Sequence, residues 1–299
     1  MNTLYMTVGL PGSGKSTWAK KQEHLTVISS DEVRAELYGS EEIQDNPAKV
    51  FQIVHSRVKE QLKHGDVIMD ATNLNARKRA GFLSQFSGAR KVAVLFATNY
   101  ERVLEQNRKR ERQVPEHVIQ RMRESFQPPT KWEGWDEIRI VWNGEGYNFP
   151  WEELEMDQEN PHHSLPLNLH MGQTAAKLVE QGEKDKNLIF AAMLHDIGKI
   201  FTKKFENSKG EPTLHAHYLG HQNVGAYEVL FVLRYEKGML NDENILDIAG
   251  LVAWHMQPYT LEEAPNPEKA TNKWIGKDSR KLEFWNRLAR LNAADRAAH

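Results

Sequence analysis

At 299 residues, with 39 basic against 41 acidic side chains and a formal net charge of −2, the chain is long enough for two domains and lacks the positive coat of a general nucleic-acid binder. It contains no cysteine, which excludes disulfides, thiolate metal sites and cysteine nucleophiles together. No apolar run approaches the roughly 18–20 residues that a membrane span needs, so a cytoplasmic protein with no membrane partner is expected.

The N-terminus has no signal-peptide pattern. It reads as a first strand, 4–8, running straight into Gly9-Leu10-Pro11-Gly12-Ser13-Gly14-Lys15-Ser16-Thr17, a complete P-loop. The glycines permit the tight path that turns successive N–H groups and a helix N-terminus onto phosphate oxygens. Lys15 has the reach for the β- and γ-phosphates, and Ser16 the hydroxyl for Mg²⁺. Gly9, Gly12, Ser13, Gly14, Lys15, Ser16 and Thr17 are therefore the expected binding residues for ATP, or another NTP, with Mg²⁺. A helix over 15–22, a strand over 25–29 and a helix over 31–38 follow. Asp31 and Arg34 stand just after the second strand, at the carboxyl edge where an open sheet binds ligands. An Asp there can take the proton of an acceptor hydroxyl, and an Arg one turn on can hold the acceptor's phosphate. An N-capping Asp beside an ordinary helix-face Arg is the plain alternative.

Residues 47–64 repeat apolar side chains at Phe51, Val54, Val58 and Leu62, the spacing of one helix face. A third strand, 67–69, ends at Asp70, placed to sit beside Mg²⁺. A helix over 76–86, a strand over 92–97, helices over 101–110 and 115–125 and a strand over 138–142 complete an alternation that means a parallel sheet between helices, an α/β domain. Basic side chains crowd between Arg77 and Arg123. Among them Arg108 and Arg112, four apart, are expected on one helical face, as a lid that clamps the triphosphate and stabilises transition-state charge. A solvated basic helix is the alternative.

Asn143-Gly144-Glu145-Gly146 breaks the pattern, and a linker is expected over 143–160. Beyond it β/α alternation is absent. Helices over 171–180, 187–195, 221–234, 244–255 and 281–298 imply an all-α second domain, 161–299. The apolar helix 187–195 ends in His195-Asp196-Ile197-Gly198-Lys199. Imidazole and carboxylate side by side suit a divalent transition metal. His170, His221, His255 and Asp295, on separate expected helices, are the further candidate ligands.

The P-loop, Asp31-x-x-Arg34, Asp70-Ala71-Thr72-Asn73 and Arg108-x-x-x-Arg112 together resemble the polynucleotide 5′-kinase family over residues 1–142. That resemblance implies Lys15 and Ser16 on phosphate and metal, Asp31 as general base, Arg34 on the acceptor phosphate, and Arg108 and Arg112 on ATP. The order His170, His195-Asp196, His221, His255, Asp295 resembles the HD phosphohydrolase superfamily over about residues 160–299. It implies His170, His195, Asp196 and Asp295 around one divalent ion, and His221 and His255 around a second bridged by Asp196; one metal or two stays open. Lys199 would meet the substrate phosphate, with His163 and His217 as further contacts.

The pairing is similar to a bacterial family of fused HD phosphatase–kinase end-healing enzymes, which place the HD module first; here the kinase module leads. The pairing implies 5′-hydroxyl phosphorylation and removal of 2′,3′-cyclic, 2′- or 3′-phosphates at strand ends, RNA before DNA, with an RNA ligase acting downstream. Two readings stand beside it: a small-molecule or nucleotide kinase fused to an HD nucleotidase, and an ATP-switched regulatory module with a structural HD fold.

Overall fold

The structure is a computed structural model that describes residues 1–144, 146–161, 164–236 and 240–298. It divides into two compact units, Met1–Met122 with Pro129–Glu145, and Arg123–Pro128 with Gly146–His299.

The first unit is α/β. In chain order it comprises β1 (Thr3–Val8), α1 (Lys15–Lys20), β2 (Thr26–Ser29), α2 (Ser30–Tyr38), α3 (Pro47–Gln61), β3 (Val67–Asp70), α4 (Ala76–Leu83), β4 (Arg90–Ala97), α5 (Tyr100–Arg108), α6 (Glu116–Arg123, whose last residue belongs to the second unit) and β5 (Glu137–Trp142). The strands lie parallel in the order β2-β3-β1-β4-β5, with Met6 opposite Met69 on one side and Ala93 on the other. Every residue of β3 is buried, as a central strand covered on both faces requires. The chain builds β2 and β3 to one side of β1 and β4 and β5 to the other. The crossovers therefore part at the carboxyl end of β1, the point where open α/β sheets leave a crevice for ligands. The P-loop emerges there. On α3 the fully buried row is Val50, Val54 and Val58, with Phe51 and Leu62 partly buried beside it against Leu4, Met6 and Phe82.

The second unit is helical: α7 (Leu167–Glu180), α8 (Lys186–Leu194), α9 (His221–Phe231), α10 (Asp242–Trp254), α11 (Gln257–Glu262), α12 (Pro267–Ile275) and α13 (Ser279–Arg296). Three features of this unit are not among the elements expected from the sequence. A hairpin pairs β6 (Lys204–Glu206) with β7 (Pro212–His217), antiparallel and with a shifted register. Its three-residue first strand is exposed at every position, so no alternation announces it. Helices α11 and α12, for which no element is expected from the sequence, start with Pro258 and Pro267 in their first turns, where the missing N–H is not needed. The end of α9 widens into a π-turn over Val232–Glu236.

Residues 143–160, expected as a linker, divide between the units. From Gly146 the chain packs with the second unit, through a 3₁₀ turn at Trp151–Glu155 and the buried side chains of Leu154 and Gln158. Among the described residues no helix is long and apolar enough to cross a membrane.

Candidate functional site

In the first unit the P-loop wraps around Lys15. Gly12 holds φ 80, and a Cβ on it would come within 2.9 Å of the Val103 carbonyl of α5, so only glycine fits. Lys15 is 7% exposed and folds back on the loop, donating to the Leu10 carbonyl at 2.6 Å. Burial lowers its ammonium to about 8, with Asp70 opposing the drop and Arg110 adding to it. Ser16 Oγ donates to Asp70 Oδ2 at 2.7 Å, and Asp70 Oδ1 accepts from Thr7 Oγ1 at 3.0 Å. The two groups thus offer adjacent hard oxygens of the kind Mg²⁺ takes. Gly9 and Ser13 serve the loop from behind: Gly9 N donates to the Thr72 carbonyl at 3.0 Å, and Ser13 is buried.

A cavity of about 420 Å³ opens over the loop, lined by Gly12, Gly14, Lys15, Ser16 and Thr17 on one side and by Asp31, Arg34, Arg110 and Arg112 on another. The cap of α2 is Ser29, whose side chain accepts from Asp31 N at 3.2 Å. That leaves the Asp31 carboxylate available to the cavity, where Arg34 Nη1 lies at 2.6 Å and Arg112 Nη1 at 3.3 Å. One carboxylate is thereby presented with two guanidinium groups able to exchange it for phosphate oxygens.

The expected lid geometry differs. Helix α5 stops at Arg108, so Arg108 and Arg112 do not share a helical face. The cause is Asn107, buried, whose side chain donates to the Val114 carbonyl at 2.8 Å and accepts from Val114 N at 2.9 Å, pinching the intervening residues into a loop. Arg108 pairs with the exposed Glu116 at 2.7 Å and does not line the cavity. Arg110 lines it instead, a residue that helical spacing could not select. Asn107 was also missed; its signal is the nearby Pro115, which disfavours helix just before it.

In the second unit six metal-capable side chains from five helices converge. His170 comes from α7, His195 and Asp196 from the end of α8, His221 from the first turn of α9, His255 from the end of α10 and Asp295 from α13. The ligand atoms of His170, His195 and Asp295 lie within 4.8 Å of one another, as do those of Asp196, His221 and His255. Asp196 spans the two sets. Its Oδ2 is 3.6 Å from His170 Nε2 and 3.3 Å from His195 Nε2; its Oδ1 is 3.1 Å from His221 Nε2 and 3.6 Å from His255 Nε2. Each imidazole turns Nδ1 to a main-chain carbonyl, of Ala298, Ala192, Tyr218 and Val252 respectively, at 2.7–3.2 Å. Those bonds fix the tautomer and aim all four Nε2 atoms inward, the outer-shell arrangement of metal-ligating histidines.

The electrostatics fit a cation at the centre. Burial opposes protonation of His195, yet Asp196 and Asp295 outweigh it and raise the imidazole to about 10. Burial likewise opposes ionisation of Asp196, but Lys199 and His195 hold it well below the carboxylate range. A divalent ion would take the place of that proton. His195 Nε2 makes no well-formed hydrogen bond among the described residues, although two carboxylates lie close to it. Lys199 Nζ sits 2.6 Å from Asp196 Oδ2 and donates a second bond to Gln158 Oε1 at 2.8 Å, so the expected linker supplies the residue that holds this lysine. Gly198 lets the turn after Asp196 press on α9: a Cβ there would fall 2.1 Å from the His221 carbonyl and 2.5 Å from Gly225 N. His217 lies in β7, outside both ligand sets, and His163 lies outside the described residues.

Two family models match the chain, one described as AAA domain over residues 4–129 and one as HD domain over residues 168–289. A curated relative, the CC-adding tRNA nucleotidyltransferase of Thermus thermophilus, is 34% identical over 111 residues, covering 36% of this chain and 22% of that enzyme. The chain thus spans about a fifth of that relative's length. Among solved structures, a Pnkp1/Rnl/Hen1 complex is 25% identical with a TM-score of 0.34, over 38% of this chain and 41% of that one. A fungal RNA kinase is 13% identical with a TM-score of 0.37, over 68% and 50%. The chain carries an AAA-type P-loop domain followed by an HD domain.

Proposed function

We propose that the protein heals the ends of broken RNA strands, adding phosphate at one end and removing it at the other. The kinase module would occupy residues 1–142 and the HD phosphohydrolase module 161–299. The observation that carries the reading is the Asp31 carboxylate facing the P-loop cavity between Arg34 and Arg112, because an NTP-driven motor needs no acceptor side. Asp31 takes the proton of a 5′-hydroxyl as its oxygen attacks the γ-phosphorus, and the nucleoside diphosphate departs. The P-loop N–H groups and Lys15 hold the triphosphate, Ser16 and Asp70 would hold Mg²⁺, and Arg110 and Arg112 face the charge that develops in transfer.

In the HD module, His170, His195, Asp196, His221, His255 and Asp295 would hold one or two divalent ions. Such ions supply an activated water and neutralise phosphate charge when bound. Lys199 orients the phosphate of a 2′,3′-cyclic, 2′- or 3′-phosphate end. Product ends of this kind suit a downstream RNA ligase.

The test is an oligonucleotide with a 5′-hydroxyl and a 2′,3′-cyclic phosphate, incubated with ATP and a series of divalent metals, with both ends followed. Conversion of both ends is expected. No change at either end would overturn the reading, and activity confined to free nucleosides would favour the small-molecule kinase and nucleotidase instead.

A further inference from the structure

Among the largest fully buried side chains of the described residues one is charged: Arg79 of α4, 2% exposed. Its guanidinium forms two parallel bonds to Glu133, Nε to Oε2 at 2.7 Å and Nη2 to Oε1 at 2.8 Å. Glu133 also accepts from Thr130 N at 2.9 Å and Trp135 Nε1 at 3.2 Å, so its position is fully determined. A buried ion pair is a poor device for stability, since an apolar pair of similar volume is often as stable or more so. What it supplies is a fixed donor. Arg79 Nη1 donates to the Asn73 carbonyl at 2.7 Å.

Asn73 is one of three non-glycine residues with positive φ among the described residues, at 45°. Its side chain donates to the Thr7 carbonyl at the end of β1, at 2.8 Å. Beside it the Thr72 carbonyl receives Gly9 N, the first N–H of the P-loop, and Thr7 Oγ1 donates to the Asp70 carboxylate. Ala71 and Thr72 line the cavity. A chain of hydrogen bonds and adjoining residues therefore runs from a buried glutamate to the carboxylate and the loop that line the cavity.

We infer that Arg79, fixed by Glu133, is a positioning residue that sets the 71–73 loop against the P-loop and thereby places Asp70 and the cavity wall. The inference rests on the phosphoryl-transfer reading of this site. The double variant Arg79→Met with Glu133→Leu replaces the ion pair by apolar groups, and Asn73→Gly removes the side-chain bond while keeping the left-handed backbone. Asn73→Gly is expected to keep its thermal midpoint near the parent's, whereas the double variant, which leaves Thr130 N, Trp135 Nε1 and the Asn73 carbonyl without these partners, is expected to melt lower while still folding. Each should lower kcat for transfer from ATP to a 5′-hydroxyl oligonucleotide by at least about tenfold, as small misplacements of reacting groups do. The Mg²⁺ concentration that half-saturates binding of a fluorescent ATP analogue should rise about fivefold, while analogue affinity at saturating Mg²⁺ moves by less than about threefold. A folded variant with parental kcat and parental Mg²⁺ dependence overturns the inference and makes the pair structural only. If the double variant fails to fold, Asn73→Gly decides by the same two readouts. If the parent protein phosphorylates no oligonucleotide, the proposed function fails, and the Mg²⁺ dependence of analogue binding still decides the role of Arg79.

Discussion

At the residue scale each site turns on one carboxylate. Asp31 is released from capping by Ser29 and held by two arginines, and Asp196 spans both ligand sets of the HD cluster. Asp31→Ala should lower 5′-phosphorylation by at least about 100-fold, the scale of a lost general base, and spare phosphate removal at the other end. Asp196→Ala should do the reverse. Assays of both ends on the same preparations check this, and loss of both activities in either variant would contradict the division of labour. Gly198 is a second kind of position, set by space alone. Its missing Cβ is what lets the turn after Asp196 touch the backbone of α9. Gly198→Ala is expected to cost about 1–3 kcal/mol by overpacking and to reduce bound divalent metal, read by thermal melting and metal analysis.

At the element scale the informative place is the end of α5. The run from Arg108 to Arg112 has the composition of a helix, and Asn107 prevents one by bonding to both main-chain groups of Val114. The consequence is an exchange of arginines, Arg110 entering the cavity and Arg108 leaving it. Asn107→Ala should cost about 1–3 kcal/mol through the unpaired Val114 groups and raise KM for ATP severalfold, with the HD activity unchanged. Steady-state kinetics at both ends measure it; an unaltered KM would show that the pinched loop does not shape the nucleotide site. Elements with strong periodicity, such as α3 and β4, were legible in the chain because burial of one face or of a whole strand leaves a regular apolar signature. The hairpin was not, since β6 buries nothing.

At the scale of the whole molecule the two units should answer to different ligands. Ligand that binds only the folded state stabilises the unit that holds it, by about 2.7 kcal/mol at a hundredfold excess over Kd. Chelation of divalent metal should therefore lift amide-exchange protection in α7–α10 and leave β1–β5 unchanged, whereas an ATP analogue with Mg²⁺ should add protection around β1 and α1. Hydrogen exchange followed by mass spectrometry reads both. A uniform response across the chain would argue against two separately liganded centres. The strand order β2-β3-β1-β4-β5 is the reason the first centre sits where it does, since crossovers parting on either side of β1 leave the P-loop facing an open crevice.

The chain by itself determined the P-loop, the α/β-then-helical order and the six candidate metal ligands. Each depends on local facts: a backbone path set by neighbouring glycines, a burial period, or a chemically distinctive side chain at a helix end. Only the tertiary structure decided that Arg110 replaces Arg108 at the cavity, that Gln158 holds Lys199, that Asp196 faces all four histidines, and that Arg79, paired with Glu133, holds the Asn73 carbonyl. Some of those relations join residues far apart in the chain, 41 positions for Lys199 and Gln158 and 54 for Arg79 and Glu133. A hydrogen bond or ion pair across such a separation leaves no periodic trace in composition; it exists only once the sheet and helices have brought its two ends together.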